Sequence, residues 1–345
     1  MPARRSRALL ATATATVALA ATLAACGGTA TEATPPASPS DGATDAFPVT
    51  IEHALGTTVV ERAPERVVTI GWGSQDTALA LGVAPVGVPF DGWAGDPGTG
   101  LLPWTAEAFD ALGADAPTTY LDLPEVDVEE IAALDPDLIL ATYSGISQEV
   151  YDQLSAFAPV VAYPDQPWLV SWQDQTLLNG RALGLAAEAE ALVEEMDATV
   201  AQAAADNPSL AGVTFAYVYA SPDGTLSAYV AGDPRVDLLT GLGMELAPGV
   251  AALEVPAGSF FVNLGTENAD VLADADVLVT WFNDETEQAT VEAMGTFAAI
   301  PAVASGHYLP ILDRGLGMAM STTTALSLPW GLDAFVPQLV AAVGD

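Results

Sequence analysis

Short apolar runs rich in β-branched residues alternate along this chain with segments of helical period. The runs are continuous rather than strictly alternating with polar residues, which predicts strands that are covered on both faces, as in parallel sheets. Seven strands are predicted in this way, at residues 67–70, 85–88, 138–142, 160–163, 213–219, 277–281 and 308–312. The regular alternation of strands with helices favours α/β units in both halves of the chain.

One long segment of helical period separates the two halves. Apolar residues from Leu178 to Met196 recur at steps of three and four, which predicts a helix over about residues 172–205. At about 1.5 Å per residue such a helix would be roughly 45–50 Å long. We therefore predict two Rossmann-like α/β lobes with parallel-rich sheets, joined by one long interlobe helix, with a ligand cleft between the lobes.

The beginning of the chain has a different composition from the rest. A basic stretch, "MPARRSR", precedes an apolar stretch, and "LAAC" follows, which predicts a signal peptide over residues 1–25. Cys26, the only cysteine, resembles the lipidated residue of a lipobox, although a free thiol or an intermolecular disulfide is an alternative. Small and polar residues dominate residues 26–47, which are predicted to be a lipid anchor and a flexible linker.

These segments give a complete division of the chain. The N-terminal lobe is predicted at residues 48–170, the interlobe helix at residues 171–206 and the C-terminal lobe at residues 207–345. The predicted protein is exported and lipid-anchored to the outer face of the cytoplasmic membrane.

The charge of the chain is strongly negative. After residue 25 there are five arginines, no lysine and all 45 carboxylates, so the formal net charge of this part is 5 minus 45, or −40, at pH 7. This balance excludes nucleic acid as a partner. Such acidity is typical of a solvated surface, and it would also attract cationic ligands or a basic docking partner.

Four predicted strands end in aromatic residues that are followed by small or polar ones. Ligands of open parallel sheets bind outside the carboxyl ends of the strands, so these ends are expected to line the cleft. The candidate ligand-binding residues at these ends are Trp72, Gly73, Ser74, Tyr143, Ser144, Tyr217, Tyr219, Trp281 and Phe282. Such a cleft fits an apolar ligand with few polar groups. Ser74 is also predicted to cap a helix whose N–H groups point into the cleft.

Loop tryptophans and two arginines complete the candidate site. Four tryptophans in loop-like or junction segments are candidates for the cleft walls: Trp93, Trp104, Trp168 and Trp172. Arg235 opens a predicted helix in the second half, and Arg314 follows the last predicted strand. Both are candidates for ligand contact, with surface salt bridges as the alternative.

The sequence holds no G-x-S-x-G motif and no P-loop, and its two histidines are too few for a zinc or manganese receptor. We therefore predict a protein that is not an enzyme, needs no cofactor and holds no metal directly. Ferric iron bound by the tyrosinates of Tyr217 and Tyr219 stays open as a weaker alternative.

Several stretches together resemble the iron-siderophore substrate-binding lipoproteins of ABC importers, in the Fe/B12 periplasmic-binding superfamily. They lie between residues 49 and 345 and read "IEHALGTTVVERAPERVVTIGWGSQDTALALGVAPVGV", "VDVEEIAALDPDLILATYSGISQEVYDQLSAFAPVVAY", "NGRALGLAAEAEALVEEM", "ADVLADADVLVTWF" and "MSTTTALSLPWGLDAFVPQL". The resemblance implies a monomer that captures a ferric chelate and delivers it to a cognate permease and ATPase. It also implies docking to the permease through Glu129 and Glu267, which match the family pattern by position.

The class of ferric chelate follows from charge. Tris-catecholate complexes are strongly anionic and need clustered lysines or arginines, which this chain lacks. Hydroxamate complexes are neutral or cationic, so we predict a hydroxamate-type ferric siderophore. Haem or cobalamin bound by the same fold, and a scaffold or sensor lipoprotein that transports nothing, are the alternatives.

Overall fold

The structure of this protein is a computed structural model that describes residues 46–256 and 258–344. The predicted signal peptide, Cys26 and nearly all of the predicted linker lie outside the described residues. The strands are β1 (Val49–His53), β2 (Gly56–Val60), β3 (Val67–Gly71), β4 (Gly87–Pro89), β5 (Thr118–Tyr120), β6 (Leu138–Tyr143), β7 (Val160–Ala162), β8 (Thr214–Ala220), β9 (Leu226–Tyr229), β10 (Glu245–Leu246), β11 (Phe261–Asn263), β12 (Val277–Trp281) and β13 (Tyr308–Ile311). The α-helices are α1 (Ser74–Ala80), α2 (Pro103–Leu112), α3 (Val128–Ala133), α4 (Gln148–Ser155), α5 (Trp172–Ala182), α6 (Ala186–Asp206), α7 (Pro234–Gly241), α8 (Pro248–Ala251), α9 (Glu285–Glu292), α10 (Gly295–Ala298), α11 (Pro301–Ser305), α12 (Arg314–Ser321) and α13 (Ser327–Val343).

Two parallel-rich sheets organise the fold and confirm the predicted α/β class. The first sheet has the strand order β5-β4-β3-β6-β7, and all of its pairings are parallel. The second has the order β11-β9-β8-β12-β13, with β10 beside β8, and only its β9 and β11 pairings are antiparallel. We call the elements around the first sheet the first lobe and those around the second sheet the second lobe.

All seven predicted strands are present, as β3, β4, β6, β7, β8, β12 and β13. The buried residues of β3 and β6 show why the pattern was informative, because every residue of both strands is shielded from solvent. The hairpin of β1 and β2 and the short strands β5, β9, β10 and β11 were not predicted. Their two to five residues carry too few large apolar side chains to stand out.

The segment predicted as one long helix forms two helices, so that prediction is wrong. Helix α5 ends at Ala182, and α6 starts at Ala186 and runs for 21 residues, or about 32 Å. Gly184 between them has a φ of +74°, in the left-handed region, and a Cβ there would lie 2.4 Å from the Phe47 ring. The apolar stripe continues through the turn because Leu183 is buried as well, so the periodicity gave no sign of the break.

This break allows a stability prediction. Gly184→Ala is expected to lower the free energy of unfolding by about 2–3 kcal/mol, because the methyl group adds a clash with Phe47 to the cost of the left-handed backbone. Gly212→Ala is the matched control, since Gly212 has a φ of +76° with no atom within 4 Å of the added Cβ. It should lose only about 1 kcal/mol in the same urea titration, the cost of the left-handed backbone alone. Equal losses would show that packing against Phe47 does not matter.

The two lobes share a hydrophobic cluster. Trp104 of α2 packs against Trp330 of α13, with ring centroids 5.2 Å apart, and both belong to the cluster that contains Phe215 and Val279 of the second sheet. The two lobes are therefore packed against each other through apolar side chains. Within the described residues, no helix has the length and apolar character needed to cross a bilayer.

Candidate ligand cleft

A cavity of about 500 Å³ lies between the carboxyl ends of strands from both sheets. Its walls are mostly apolar and aromatic, a composition typical of small-molecule sites. Of the residues predicted from the sequence, five line this cavity: Trp72, Gly73, Trp93, Arg235 and Trp281. The cavity is therefore lined by predicted residues from both halves of the chain.

Trp72 is held at the first-lobe wall by unusually close backbone packing. The flanking Gly71 has a φ of +79°, and a Cβ on it would lie 2.2 Å from the carbonyl oxygen of Tyr143. The Trp72 indole packs against Trp168, with ring centroids 5.3 Å apart, and lies edge-on to Tyr143 at 6.0 Å. On the other side, Gln175 of α5 donates a 2.6 Å hydrogen bond to the Trp72 carbonyl. These contacts fix the tryptophan as a rigid wall rather than a mobile side chain.

The predicted helix cap at Ser74 is wrong. The capping position of α1 is Gly73, whose φ is +78°, and no side chain caps the helix. Ser74 is fully buried, and its hydroxyl donates to Thr142 Oγ1 at 3.0 Å, while Thr142 donates in turn to Asn179. The serine thus fastens α1 to β6 and α5, and it does not line the cavity.

Trp281, the last residue of β12, forms the wall on the second lobe. Its ring stacks on Tyr219, with centroids 4.7 Å apart, and meets Trp93 edge-on at 5.2 Å. Its Nε1 donates to the hydroxyl of Tyr229 at 3.3 Å. Tyr219 therefore supports the lining tryptophan from behind. Tyr229 was missed because β9 was not predicted.

Arg235 is the cation of the cavity lining and is only 7% exposed. Its Nη1 donates to Asp233 at 2.7 Å and its Nε to Ser321 Oγ at 3.1 Å, while the guanidinium lies 4.1 Å from the centroid of the Tyr229 ring. Burial above all raises the pKa of the nearby Tyr217 hydroxyl, although the arginine's charge works against that shift. This tyrosine therefore stays protonated at neutral pH.

Asp76, in the first turn of α1, is a cleft residue that sequence reasoning did not select. Its carboxylate accepts hydrogen bonds from Trp104 Nε1 at 2.7 Å, Thr105 Oγ1 at 2.8 Å and Thr324 Oγ1 at 2.8 Å. Thr324 belongs to the second lobe, so this contact joins the lobes. Burial raises the pKa of Asp76 to about 6, against the opposing effect of the three hydrogen bonds. An acid in the first turn of a short apolar helix was its only sequence signal.

The raised pKa predicts a pH-dependent stability term. The folded protein holds a proton on Asp76 more tightly than the unfolded chain, whose ordinary value is 3.8. The stabilisation that this proton gives to the folded state is therefore complete below about pH 4 and is lost as the pH rises through 6. The free energy of unfolding falls by roughly 3 kcal/mol over this range. Relative to wild type, Asp76→Asn should thus gain stability between pH 4 and 7 in urea unfolding, while the exposed Asp270→Asn should not. A difference that stays constant with pH would contradict this prediction.

The structure places several predicted residues away from the cavity. Phe282 follows Trp281 directly, so it points to the opposite face of the sheet and packs into the core behind it. Tyr217 lies two residues deeper in β8 than Tyr219 and is fully buried. The predicted direct ligand contacts at these positions are therefore wrong, because adjacent strand residues alternate in direction and earlier ones lie within the sheet.

Three further candidates also lie outside the cavity lining. Tyr143 is buried and lies edge-on to Trp72, and Ser144 donates its hydroxyl to the Ala141 carbonyl at 2.7 Å. Ser144 borders a second, more polar cavity of about 580 Å³ in the first lobe. Arg314 is exposed, and its guanidinium donates to the backbone carbonyl oxygens of Asn283 and Trp93.

The two predicted docking acids lie on different lobes. Glu129 is exposed in the first turn of α3, and Glu267 is exposed in the first turn of the 3₁₀ segment Thr266–Leu272. Within the ranges 46–256 and 258–344, no group of three or more histidine, cysteine, aspartate or glutamate side chains is arranged to hold a metal ion.

The chain is similar to known proteins in both sequence and fold. Residues 67–309 match the periplasmic binding protein family. The structure of Streptococcus pneumoniae TIGR4 PiaA in complex with ferrichrome is similar to this one, with 32% identity and a TM-score of 0.79 over 85% of this chain and 98% of that chain. The cobalamin-binding protein of Halobacterium salinarum is 31% identical over 283 residues, which cover 81% of this chain and 70% of that protein.

A shorter match connects the chain to a lipoprotein. The probable siderophore-binding lipoprotein YfiY of Bacillus subtilis is 31% identical over 153 residues, which cover 44% of this chain and 43% of that protein. The chain therefore matches less than half the length of this lipoprotein, and the same holds for a second lipoprotein of that bacterium.

Proposed function

Since this chain belongs to the periplasmic binding protein family, we propose that it is the extracytoplasmic solute-binding lipoprotein of an ABC importer. Its proposed ligand is a ferric siderophore, which would be contacted by the aromatic walls and one guanidinium of the cavity. Its proposed task is to deliver that ligand to a membrane permease and its ATPase. The observation that carries the proposal is the cavity between Trp72 and Trp281, which draws its lining from both lobes. A protein of this kind binds and releases its ligand without chemistry.

The charges around the cavity favour a hydroxamate-type complex. Arg235 is already paired with the buried Asp233, so little net positive charge is left for an anionic ligand. Asp76, Asp91 and Asp122 also line the cavity. A tris-catecholate complex would bring several negative charges towards these carboxylates, whereas a neutral or cationic trihydroxamate would not be repelled. The ferrichrome in the similar PiaA structure is a trihydroxamate, which supports the same choice.

Arg235 supplies the polar contact that we propose for the ligand. Within the described residues, its Nη2 donates to no protein acceptor, while its Nη1 and Nε are held by Asp233 and Ser321. A rigidly held guanidinium of this kind can donate to the iron-bound oxygens of a hydroxamate chelate. The tryptophans on both sides would pack against the apolar arms.

The rest of the chain fits the same role as a proposal. Residues 1–25 would be the signal peptide, Cys26 the lipidated residue, and residues 26–47 the linker that keeps the lobes at the outer face of the membrane. The lobe boundaries are proposed at residues 48–170 and 207–345, with residues 171–206 between them. Glu129 and Glu267, one exposed acid on each lobe, are proposed to meet basic residues of the permease. The protein is proposed to act as a monomer.

Cobalamin is the second candidate ligand. The Halobacterium salinarum relative supports it, because its match covers most of this chain. Haem is a weaker candidate because two of the three tyrosines that could serve as axial ligands, Tyr143 and Tyr217, are buried. Only the third, Tyr219, is half-buried.

Isothermal titration calorimetry with a ligand panel tests the proposal. Ferrioxamine B and ferrichrome represent trihydroxamates, ferric enterobactin represents tris-catecholates, and cobalamin and haem represent the alternatives. We expect at least one trihydroxamate to bind with a Kd of about 1 μM or below and the catecholate to bind at least about 100-fold more weakly. Tighter binding of the catecholate, cobalamin or haem would overturn the ligand class. Binding of none of them would favour a scaffold or sensor.

A further inference from the structure

Trp93 connects the two lobes at the lining of the cavity. It comes from the first-lobe loop between β4 and α2, yet its indole Nε1 donates to Asn283 Oδ1 of the second lobe at 2.8 Å. The ring also meets Trp281 edge-on, and a Cβ on Gly317 of α12 would lie 3.2 Å from Trp93 Cη2. The side chain is thus seated on the second lobe, although its backbone belongs to the first.

Arg314 holds the same contact from the outside. Its Nε and Nη2 donate to the Asn283 carbonyl oxygen at 3.0 and 2.7 Å, and its Nη1 donates to the Trp93 carbonyl oxygen at 3.4 Å. The guanidinium therefore bridges the backbones of the two lobes. We call Trp93, Asn283 and Arg314 the clasp.

The loop that carries Trp93 is internally braced, so it can transmit this contact. One oxygen of Asp91 accepts the N–H groups of Trp93, Ala94 and Gly95 at 2.8, 2.7 and 3.3 Å. The ends of the loop are tied by the Asp91 N–H, which donates to the Gly100 carbonyl at 3.0 Å. A loop fixed in this way moves as a unit.

The cavity opens to solvent at the first-lobe loop that follows β5. Leu121 and Leu123 line it and are 58% and 49% exposed, so they mark a mouth towards solvent. The clasp lies at the cavity lining, to which Trp93 and Asn283 both contribute, and Trp93 is half-buried there. Parting of the lobes around a bulky ligand requires the clasp bonds to break.

We infer that the clasp controls ligand exchange, and that Arg314 acts as a positioning residue that keeps Trp93 and Asn283 together rather than as a ligand contact. The inference rests on the proposed ligand-binding function. If the clasp must open for ligand to enter and to leave, its loss lowers the barrier in both directions. Association and dissociation should then speed up together, and the Kd should change little.

Arg314→Ala and Asn283→Ala test the clasp, with Arg181→Ala as the matched control. Arg181 is also an exposed arginine bonded to a backbone carbonyl, that of Thr50, but it does not line the cavity. Stopped-flow binding and displacement of ferrioxamine B should show both rate constants about tenfold higher in the clasp variants, with the Kd within about threefold of wild type. The control should match wild type. A faster dissociation with unchanged association would make Arg314 a ligand contact and overturn the inference.

Hydrogen exchange of the free protein provides a second readout that needs no ligand. Peptides covering residues 91–101 should exchange faster in both clasp variants and at the wild-type rate in Arg181→Ala. Unchanged exchange there would overturn the clasp even if the protein binds a trihydroxamate. If no trihydroxamate binds, the proposed ligand class fails, and the exchange data alone decide whether the clasp exists.

Discussion

Arg235→Ala is expected to lower the free energy of unfolding by about 3–5 kcal/mol and to abolish ligand binding. The substitution leaves the carboxylate of Asp233, which is fully shielded from solvent, without its counter-charge. It also removes the donor to Ser321 and the cation that lies over the Tyr229 ring. Urea unfolding followed by fluorescence, together with calorimetric titration of a trihydroxamate, measures both effects.

A double variant separates stability from binding. Asp233→Asn with Arg235→Met removes both charges, and replacement of a buried ion pair by neutral groups is often close to neutral in stability. We expect it to recover most of the stability that Arg235→Ala loses, although the Asp233 side chain also accepts the Arg235 N–H at the start of α7. Ligand binding should stay lost. Restored binding in the double variant would show that the guanidinium does not contact the ligand.

Trp281→Ala is expected to weaken ligand binding by about 100-fold, or roughly 3 kcal/mol. The indole forms the second-lobe wall of the cavity, and its removal also frees Tyr219 and Trp93 from their contacts with it. A tryptophan that packs on a ligand buries a large apolar area, so its loss should dominate the binding energy. The combined Trp72→Ala and Trp281→Ala variant should show no measurable binding by calorimetry.

Two further variants make the interpretation specific. Trp281→Phe keeps an aromatic wall and should lose no more than about tenfold in affinity. Trp330→Ala removes a half-buried tryptophan that packs on Trp104 and does not line the cavity, so it should reduce stability with little change in affinity. Equal losses of affinity in Trp281→Ala and Trp330→Ala would mean that general destabilisation, and not the cavity wall, causes the effect.

The sequence predicted the strands well because burial on both faces leaves a continuous apolar pattern. Each residue of β3 and β6 is shielded, and such runs are visible without any knowledge of the fold. The break at Gly184 was not visible in the periodicity, because the apolar stripe passes through the turn, where Leu183 is buried as well. Periodicity indicates which side of a segment is buried, and it does not indicate whether the segment forms one helix or two helices joined by a turn.

The cleft was predictable in its location and only partly in its residues. Strand ends identified Trp72 and Trp281, since parallel strands bring their carboxyl ends to one edge. The same reasoning wrongly included Phe282, because a shift of one residue along a strand reverses the side-chain direction. Asp76 and Asn283 were missed, since each acts through a single polar contact with the other lobe, more than 180 residues away in the sequence. No local pattern encodes such contacts.

Native mass spectrometry of the protein with an equimolar mixture of ferric siderophores and cobalamin tests the central claim most directly. The mixture would contain ferrioxamine B, ferrichrome, ferric enterobactin and cobalamin, so that the ligands compete for one cavity. The aromatic walls, the paired Arg235 and the lining carboxylates predict a one-to-one adduct with a trihydroxamate and loss of this adduct in the Trp72→Ala and Trp281→Ala double variant. A dominant adduct with ferric enterobactin or cobalamin, or a trihydroxamate adduct that survives in the double variant, would contradict the account.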